Sequence, residues 1–305
     1  MRRNLKGIGI VLLFILMLIS PKAVFTGASE GLLLWFQIIL PTLFPFLLIT
    51  NLLLATGSMH LISSAFGTVL TRIFRVSSNG SFAVVTGFLC GYPMGAKTAA
   101  DLTVSGYISK REGQYLLSFC NNSSPVFILN FVVWKTLEND ALLAPTLLIL
   151  MVSPVIVSFF TRGRGPFRNQ KEVCYAKTVW SFQEIDGSIM DSFETLVKVG
   201  GYIILFSVLL SLFQSLPFSF PLLDAALPLL EVTNGLVLLR EMNLPLNLLY
   251  PLVLGLTSFG GFCAAAQTQC MVQRAGFPLL PYIAQKLAAA VTASLLGCLY
   301  LYLPW

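Results

Sequence analysis

Residues 87–101 read G-F-L-C-G-Y-P-M-G-A-K-T-A-A-D, inside an otherwise apolar sequence. Residues 119–125, F-C-N-N-S-S-P, form a second polar interruption, and a weaker copy of the first, G-F-C-A-A-A-Q-T-Q, begins at Gly261. In a bilayer, irregular backbone and clustered amides persist only where protein or a water-filled cavity satisfies them. Two such breaks, one per half, are what a membrane carrier needs. The expectation is a transporter rather than an anchor.

The bulk composition agrees. The chain has 305 residues, 56% hydrophobic and 10% charged, with mean hydropathy +0.82, whereas soluble domains carry roughly 25% charged residues. The net charge of +6 resides in short loops, where lysine and arginine report orientation, so no nucleic-acid partner is expected. The cysteines (Cys90, Cys120, Cys174, Cys263, Cys270 and Cys298) make no CxxC pair, which argues against a disulfide framework or zinc site. His60 is the single histidine. No metal, and no cofactor beyond a coupling proton or sodium ion, is expected. With no HExxH in the chain, an enzyme is not expected either.

Apolar stretches of bilayer length, roughly 17–25 residues, occur near 31–56, 115–137, 141–160, 196–216 and 282–303, with a shorter one near 7–20. Segments 81–101, 217–240 and 246–273 are broken by glycine, proline or amides and read as re-entrant or discontinuous. Residues 1–27 are either an uncleaved transmembrane helix or a signal-like segment ending near Thr26-Gly27-Ala28. Arg2, Arg3 and Lys6 place the amino terminus in the cytoplasm, and Arg162, Arg164, Arg168, Lys171 and Lys177 against Glu172 place loop 161–179 there too. Four crossings separate them only if 81–111 enters and leaves on the cytoplasmic side. Segments 28–160 and 180–305 then run with opposite topology. The predicted fold is an all-α polytopic membrane protein of two inverted-topology repeats with re-entrant or broken helices. Ala28 to Phe36 and Trp180 to Lys198 read as mixed-polarity helices, either at the membrane surface or in a solvated linker.

Laying 91–109 on 261–279 matches Gly91 with Gly261, Ala96 with Ala266, Thr98 with Thr268 and Gly106 with Gly276, with Lys97 on Gln267. Gly91, Tyr92, Pro93 and Gly95 predict a hairpin tip, because proline removes a donor and each glycine costs about 1 kcal/mol in a helix. A helix starting near Gly95 offers its positive end to an anion; the alternative is a kinked span packed through glycine. Lys97 is either the counter-charge for a carboxylate substrate or the partner of Asp101 four residues on. Thr98 lies on the same turn. Asn121, Asn122 and Ser123 either bind a ligand or join helices. Glu231, with Asn234, is an intramembrane acid or an interfacial one; Glu112 reads as interfacial. Gln267 and Thr268 repeat the amide and hydroxyl chemistry without charge.

The motifs L-P-T-L-F-P-F (40–46), G-Y-P-M-G-A-K (91–97), F-C-N-N-S-S-P-V-F-I (119–128), E-V-T-N-G (231–235) and S-F-G-G (258–261) followed by Gln267 resemble the YlbJ-type sporulation integral membrane proteins of the nucleoside-recognition, or Gate, domain family. The likeness runs from about residue 30 to the carboxyl terminus. It implies a nucleoside-transporter-like two-fold repeat, hairpins meeting at midplane, residence in the cell or forespore membrane, and passage of dipicolinic acid. By that analogy Gly91, Tyr92, Pro93, Gly95 and Lys97 line one tip, with Asn121, Asn122 and Ser123 on the following helix. Glu231, Asn234 and Gln267 serve the second half. The expected partners are the bilayer and a small anionic substrate, with homo-oligomerisation open. The alternative function is a non-transporting scaffold that recruits sporulation partners.

Overall fold

The computed structural model describes residues 2–163, 166–170, 181–216 and 221–303, without the side chains of 2–6 and 221–223. Arg164, Lys171, Glu172, Cys174, Lys177, Trp180 and Pro217 lie outside the described residues, as do the side chains of Arg2, Arg3 and Lys6. Among the described residues there is no strand.

Helix α1 (Arg2–Ile19) precedes α2 (Pro21–Leu34), which continues through a π-helical turn, Trp35–Ile39, into α3 (Leu40–Ala55). Next come α4 (Met59–Phe74), α5 (Ser78–Cys90), α6 (Met94–Val104), α7 (Lys110–Cys120), and a short α8 (Pro125–Phe127) that continues as π-helix to Leu137. Helix α9 (Leu143–Thr161) ends the first half. The second half contains α10 (Phe182–Gln214), α11 (Pro221–Ala226), α12 (Val232–Glu241), α13 (Leu246–Phe259), α14 (Gly261–Val272) and α15 (Leu279–Tyr302). Six continuous or interrupted helical runs are long and apolar enough to cross a bilayer: Pro21–Ala55, Lys110–Leu137, Asp140–Thr161, Phe182–Gln214, Leu246–Ala275 and Leu279–Tyr302. The fold is therefore an all-α polytopic membrane protein. Its surface carries exposed Leu148, Phe160, Val291, Leu295 and Leu299, while Asn121, Thr146, Ser192 and Thr257 are buried. That distribution suits a lipid solvent.

The two mixed-polarity openers are neither surface helices nor linkers. Each is the first part of a long continuous run, and these two runs pack against each other. Ser211 donates to the Ala23 carbonyl at 2.8 Å, and Trp35 Nε1 donates to the Leu196 carbonyl at 2.9 Å. Partner numbers fall as chain numbers rise, so the pair is antiparallel. Glycine makes this approach feasible: a Cβ on Gly27 would stand 2.8 Å from the Val208 Cα, and one on Gly31 would stand 2.8 Å from the Ile204 Cα. The helix that carries the second opener, about 50 Å long for 33 residues at 1.5 Å each, exceeds the hydrocarbon core.

Residues 78–104 form a hairpin. Helices α5 and α6 pack on each other, and Asn79 Nδ2 donates to the Tyr107 carbonyl at 3.2 Å, tying its two ends together. Helix α5 is set at 93° to α4, and Ser77 caps it by accepting from the Gly80 N–H at 3.0 Å. Glu112, read from sequence as interfacial, is fully buried here, and its Oε1 accepts the Ser77 N–H at 2.6 Å. Residues 166–170 lie on the same hairpin base: Phe167 N–H donates to Arg75 at 2.9 Å and Gln170 N–H to Tyr107 at 3.2 Å.

A second hairpin, in which residues 227–229 turn back onto α12, has its base at the opposite end. Arg240, in the last turn of α12, pairs with Glu138 at 2.6 Å and donates to the Lys135 carbonyl at 2.5 Å. Lys110–Leu137 thus meets the first hairpin's base at its start and the second's at its finish. The hairpins enter from opposite ends, as an inverted repeat requires.

Candidate functional site

Each hairpin tip is seated on an interrupted helix. At the first tip, Gly91 takes φ +81°, a conformation that favours glycine. A Cβ there would stand 2.7 Å from the Ser124 nitrogen. Pro93 precedes α6, and the Ala96 N–H donates to Asn121 Oδ1 at 3.3 Å. Gly87 and Gly95 both face the Cys120 carbonyl oxygen so closely that a Cβ at either would overlap it. Residues 121–124 have left the helix between α7 and α8. At the second tip, the Leu230 carbonyl accepts the Cys263 N–H at 2.8 Å, beside the interruption at Gly260 between α13 and α14.

This geometry corrects the register of the repeat. Gly261 opens the second half of an interrupted span, Leu246–Ala275, and its structural counterpart is the break at 121–124. The counterpart of Gly91-Tyr92-Pro93 is Leu230-Glu231. Aligning Gly91 with Gly261 paired a tip with a break, because both are signalled in sequence by glycine.

The two breaks touch. Tyr92 OH donates to the Ser258 carbonyl at 3.2 Å, and Ser123 Oγ donates to the Thr257 carbonyl at 3.2 Å. A cavity of ≈ 90 Å³ lies between the halves, lined by both tips, both breaks, α3 and α10. Of the residues singled out from sequence, Tyr92, Ser123, Glu231 and Gln267 line it, with Gln267 Nε2 donating to Cys263 Sγ at 3.2 Å. Thr42, Ser124 and Thr233 add hydroxyls that sequence reasoning did not select.

Glu231 is buried and lines the cavity, yet its carboxylate is engaged. Oε1 accepts the Thr233 N–H at 3.0 Å and Oε2 the Asn234 N–H at 2.8 Å, so it caps α12. The helix end and carboxylate stabilise each other. Asn234 points elsewhere, donating to Ser207 Oγ at 3.0 Å. Glu231→Ala is expected to lower stability by about 2 kcal/mol, since two N–H groups lose their acceptor. Glu231→Gln should lose less. Equal thermal midpoints for wild type and both variants would remove the capping role.

Lys97 does not line the cavity. Its ammonium lies 2.7 Å from Asp101 Oδ2, the pair that the second sequence reading anticipated, and donates to Asn51 Oδ1 at 3.0 Å. Thr98 is buried, and its hydroxyl has no hydrogen-bond partner among the described residues. Asn121, Asn122 and Thr268 belong instead to a polar layer beside the cavity. Asn121 Nδ2 donates to Thr268 Oγ1 at 2.8 Å and to Tyr282 OH at 2.9 Å. Asn122 Nδ2 donates to the Phe119 carbonyl at 2.5 Å.

The centre of that layer is Lys286, which sequence reasoning missed. It is 2% exposed, and its ammonium donates to the Asn121 carbonyl at 3.1 Å and Asn122 Oδ1 at 3.2 Å. It stands 5.0 Å from the centre of the Tyr92 ring. The ion pairs found join Lys97–Asp101, Lys198–Glu194 and Arg240–Glu138, so among the described residues no carboxylate pairs with Lys286. The signal was present: within 282–303 it is the single charged residue, and an ionisable residue inside a span is a site hypothesis by default. No metal-ligating cluster occurs among the described residues.

Two hairpin tips, each seated on an interrupted helix around a central cavity, belong to a polytopic α-helical membrane protein. The chain is 27% identical over 330 aligned residues to the sporulation integral membrane protein YlbJ of Bacillus subtilis (strain 168), covering 93% of this chain and 80% of that protein. That similarity supports assignment to the YlbJ type. No family model matches the sequence, and no solved structure matches the chain.

Proposed function

We propose that this chain is a membrane carrier for a small anionic metabolite, working by alternating access around the paired hairpins during spore formation. The sporulation context rests on the similarity to the Bacillus subtilis protein. The observation that carries the anion reading is Lys286, a buried ammonium without a carboxylate at the junction of one tip and one break. A buried charge lacking an internal counter-ion favours a ligand of opposite sign. Dipicolinic acid, the substrate implied by the Gate-family resemblance, has the required charge. In the same proposal the amino terminus and the loop 161–179 face the cytoplasm.

The test is metabolite flux in reconstituted vesicles, with dipicolinate, dicarboxylates and nucleosides compared in parallel. Saturable dipicolinate flux is expected; saturable flux of nucleosides alone would replace the anion reading. One observation favours the second reading, a non-transporting scaffold: the ≈ 90 Å³ cavity is smaller than the roughly 300–1,000 Å³ of ordinary ligand pockets. A carrier must open one hairpin to admit its substrate. A scaffold need not, and Asn121→Ala would then change stability without any flux to change.

A further inference from the structure

The geometry points to a second role for Lys286. We propose that its ammonium is a tethered cation, occupying the place a coupling sodium ion would take, so that carriage by this chain requires no sodium. The sodium independence rests on the carrier reading above; the cation assignment itself does not. The oxygens that accept from the ammonium are of the kind that line an alkali-ion site. They are a backbone carbonyl released by an interrupted helix, Asn121, and a side-chain amide oxygen from the next residue, Asn122. Unwound backbone carbonyls are the groups that hold coupling ions in carriers with discontinuous helices. The nearby Tyr92 ring attracts any monovalent cation. Here the positive charge is delivered from α15, a helix that belongs to neither the tip nor the break.

The consequence is mechanical as well as electrostatic. Asn121 also binds Thr268, Tyr282 and the Ala96 N–H, so the cation's grip on residues 121–122 fixes where the first tip and helix α14 meet. In a sodium-coupled carrier this grip would appear and vanish with the ion. Here it is covalently attached, and the junction is organised before any ion arrives.

The test uses the full chain purified in detergent, with thermal unfolding followed in sodium chloride and in choline chloride at equal ionic strength. The wild-type midpoint is expected to be the same in both salts. The Lys286→Ala midpoint is expected to fall by about 5–10 °C in choline and to recover saturably as sodium or methylammonium is titrated in. A merely structural lysine would show the fall without the recovery. Lys286→Gln keeps a donor but no charge, and serves as the second variant should the alanine protein fail to insert. Variants equally unstable in both salts and unresponsive to methylammonium overturn the assignment. So does a wild-type midpoint or flux that rises saturably with sodium. Wild-type vesicles carrying no anion in either salt would sink the carrier reading instead, leaving the micelle result to decide the cation.

Discussion

Replacing Lys286 by methionine is expected to lower saturable anion uptake at least about 100-fold, close to 3 kcal/mol of lost stabilisation at 1.36 kcal/mol per tenfold. Methionine keeps a long, flexible apolar side chain and removes the charge. The Asn121 carbonyl and Asn122 Oδ1 then lose their donor, and each buried orphan costs about 1–3 kcal/mol. The anion meanwhile loses the cation that draws it into a low-dielectric site, where unpaired charge matters most. Lys97→Ala is the informative contrast. Its carboxylate partner, Asp101, is 41% exposed, and pairs of that kind contribute at most about 1 kcal/mol. Uptake should therefore fall no more than about threefold, within that same bound. Initial rates in vesicles holding equal amounts of inserted protein give the comparison. Wild-type uptake by the methionine variant, or its loss in Lys97→Ala alone, would return the substrate charge to Lys97.

Gly95→Val is expected to unseat the first tip, with a loss of stability of at least about 3 kcal/mol. A Cβ at Gly95 overlaps the Cys120 carbonyl and would stand 3.1 Å from the Asn121 Cα. Both are backbone, which a rotamer change cannot move. Gly87 faces the same carbonyl from α5, so the two arms of the hairpin close around one oxygen at the end of α7. The tip would have to lift from the break, taking Tyr92 off Ser258 and Asn121 off the Ala96 N–H. Gly201 in α10 is the control, since nothing lies within 4 Å of a Cβ there. Gly201→Ala should leave the midpoint unchanged or raise it, because alanine is the better helix former by about 1 kcal/mol. Thermal unfolding of the three proteins in one detergent decides. An unshifted Gly95→Val midpoint would show that the tip is not held by this contact.

Much of the architecture was legible in the chain. Run lengths marked the spans, since a bilayer demands an apolar stretch of fixed minimum length whatever its neighbours are. The hairpin at Gly91-Tyr92-Pro93 was legible because glycine and proline act on their own backbone. The charges of Arg72, Arg75, Lys110 and Arg111 implied a segment that returns to its starting side, and the Asn79–Tyr107 bond closes that segment. The register of the repeat was not legible. A hairpin tip and a helix interruption use the same residues, and nothing local separates a chain that turns back from one that continues.

The sequence by itself determined the membrane class, the places where helices break, and the polar residues available at those places. These follow from local backbone preference and from the cost of exposing polar groups to lipid. Only the tertiary structure decided which lysine stands at the centre. Lys97 and Lys286 are each a lone lysine in an apolar segment. One finds Asp101 four residues away on its own helix, while the other finds Asn121, 165 positions earlier in the chain. Desolvation and long-range hydrogen bonding are properties of how helices pack, and they made Lys286, rather than the more conspicuous Lys97, the buried lysine of the polar layer beside the cavity.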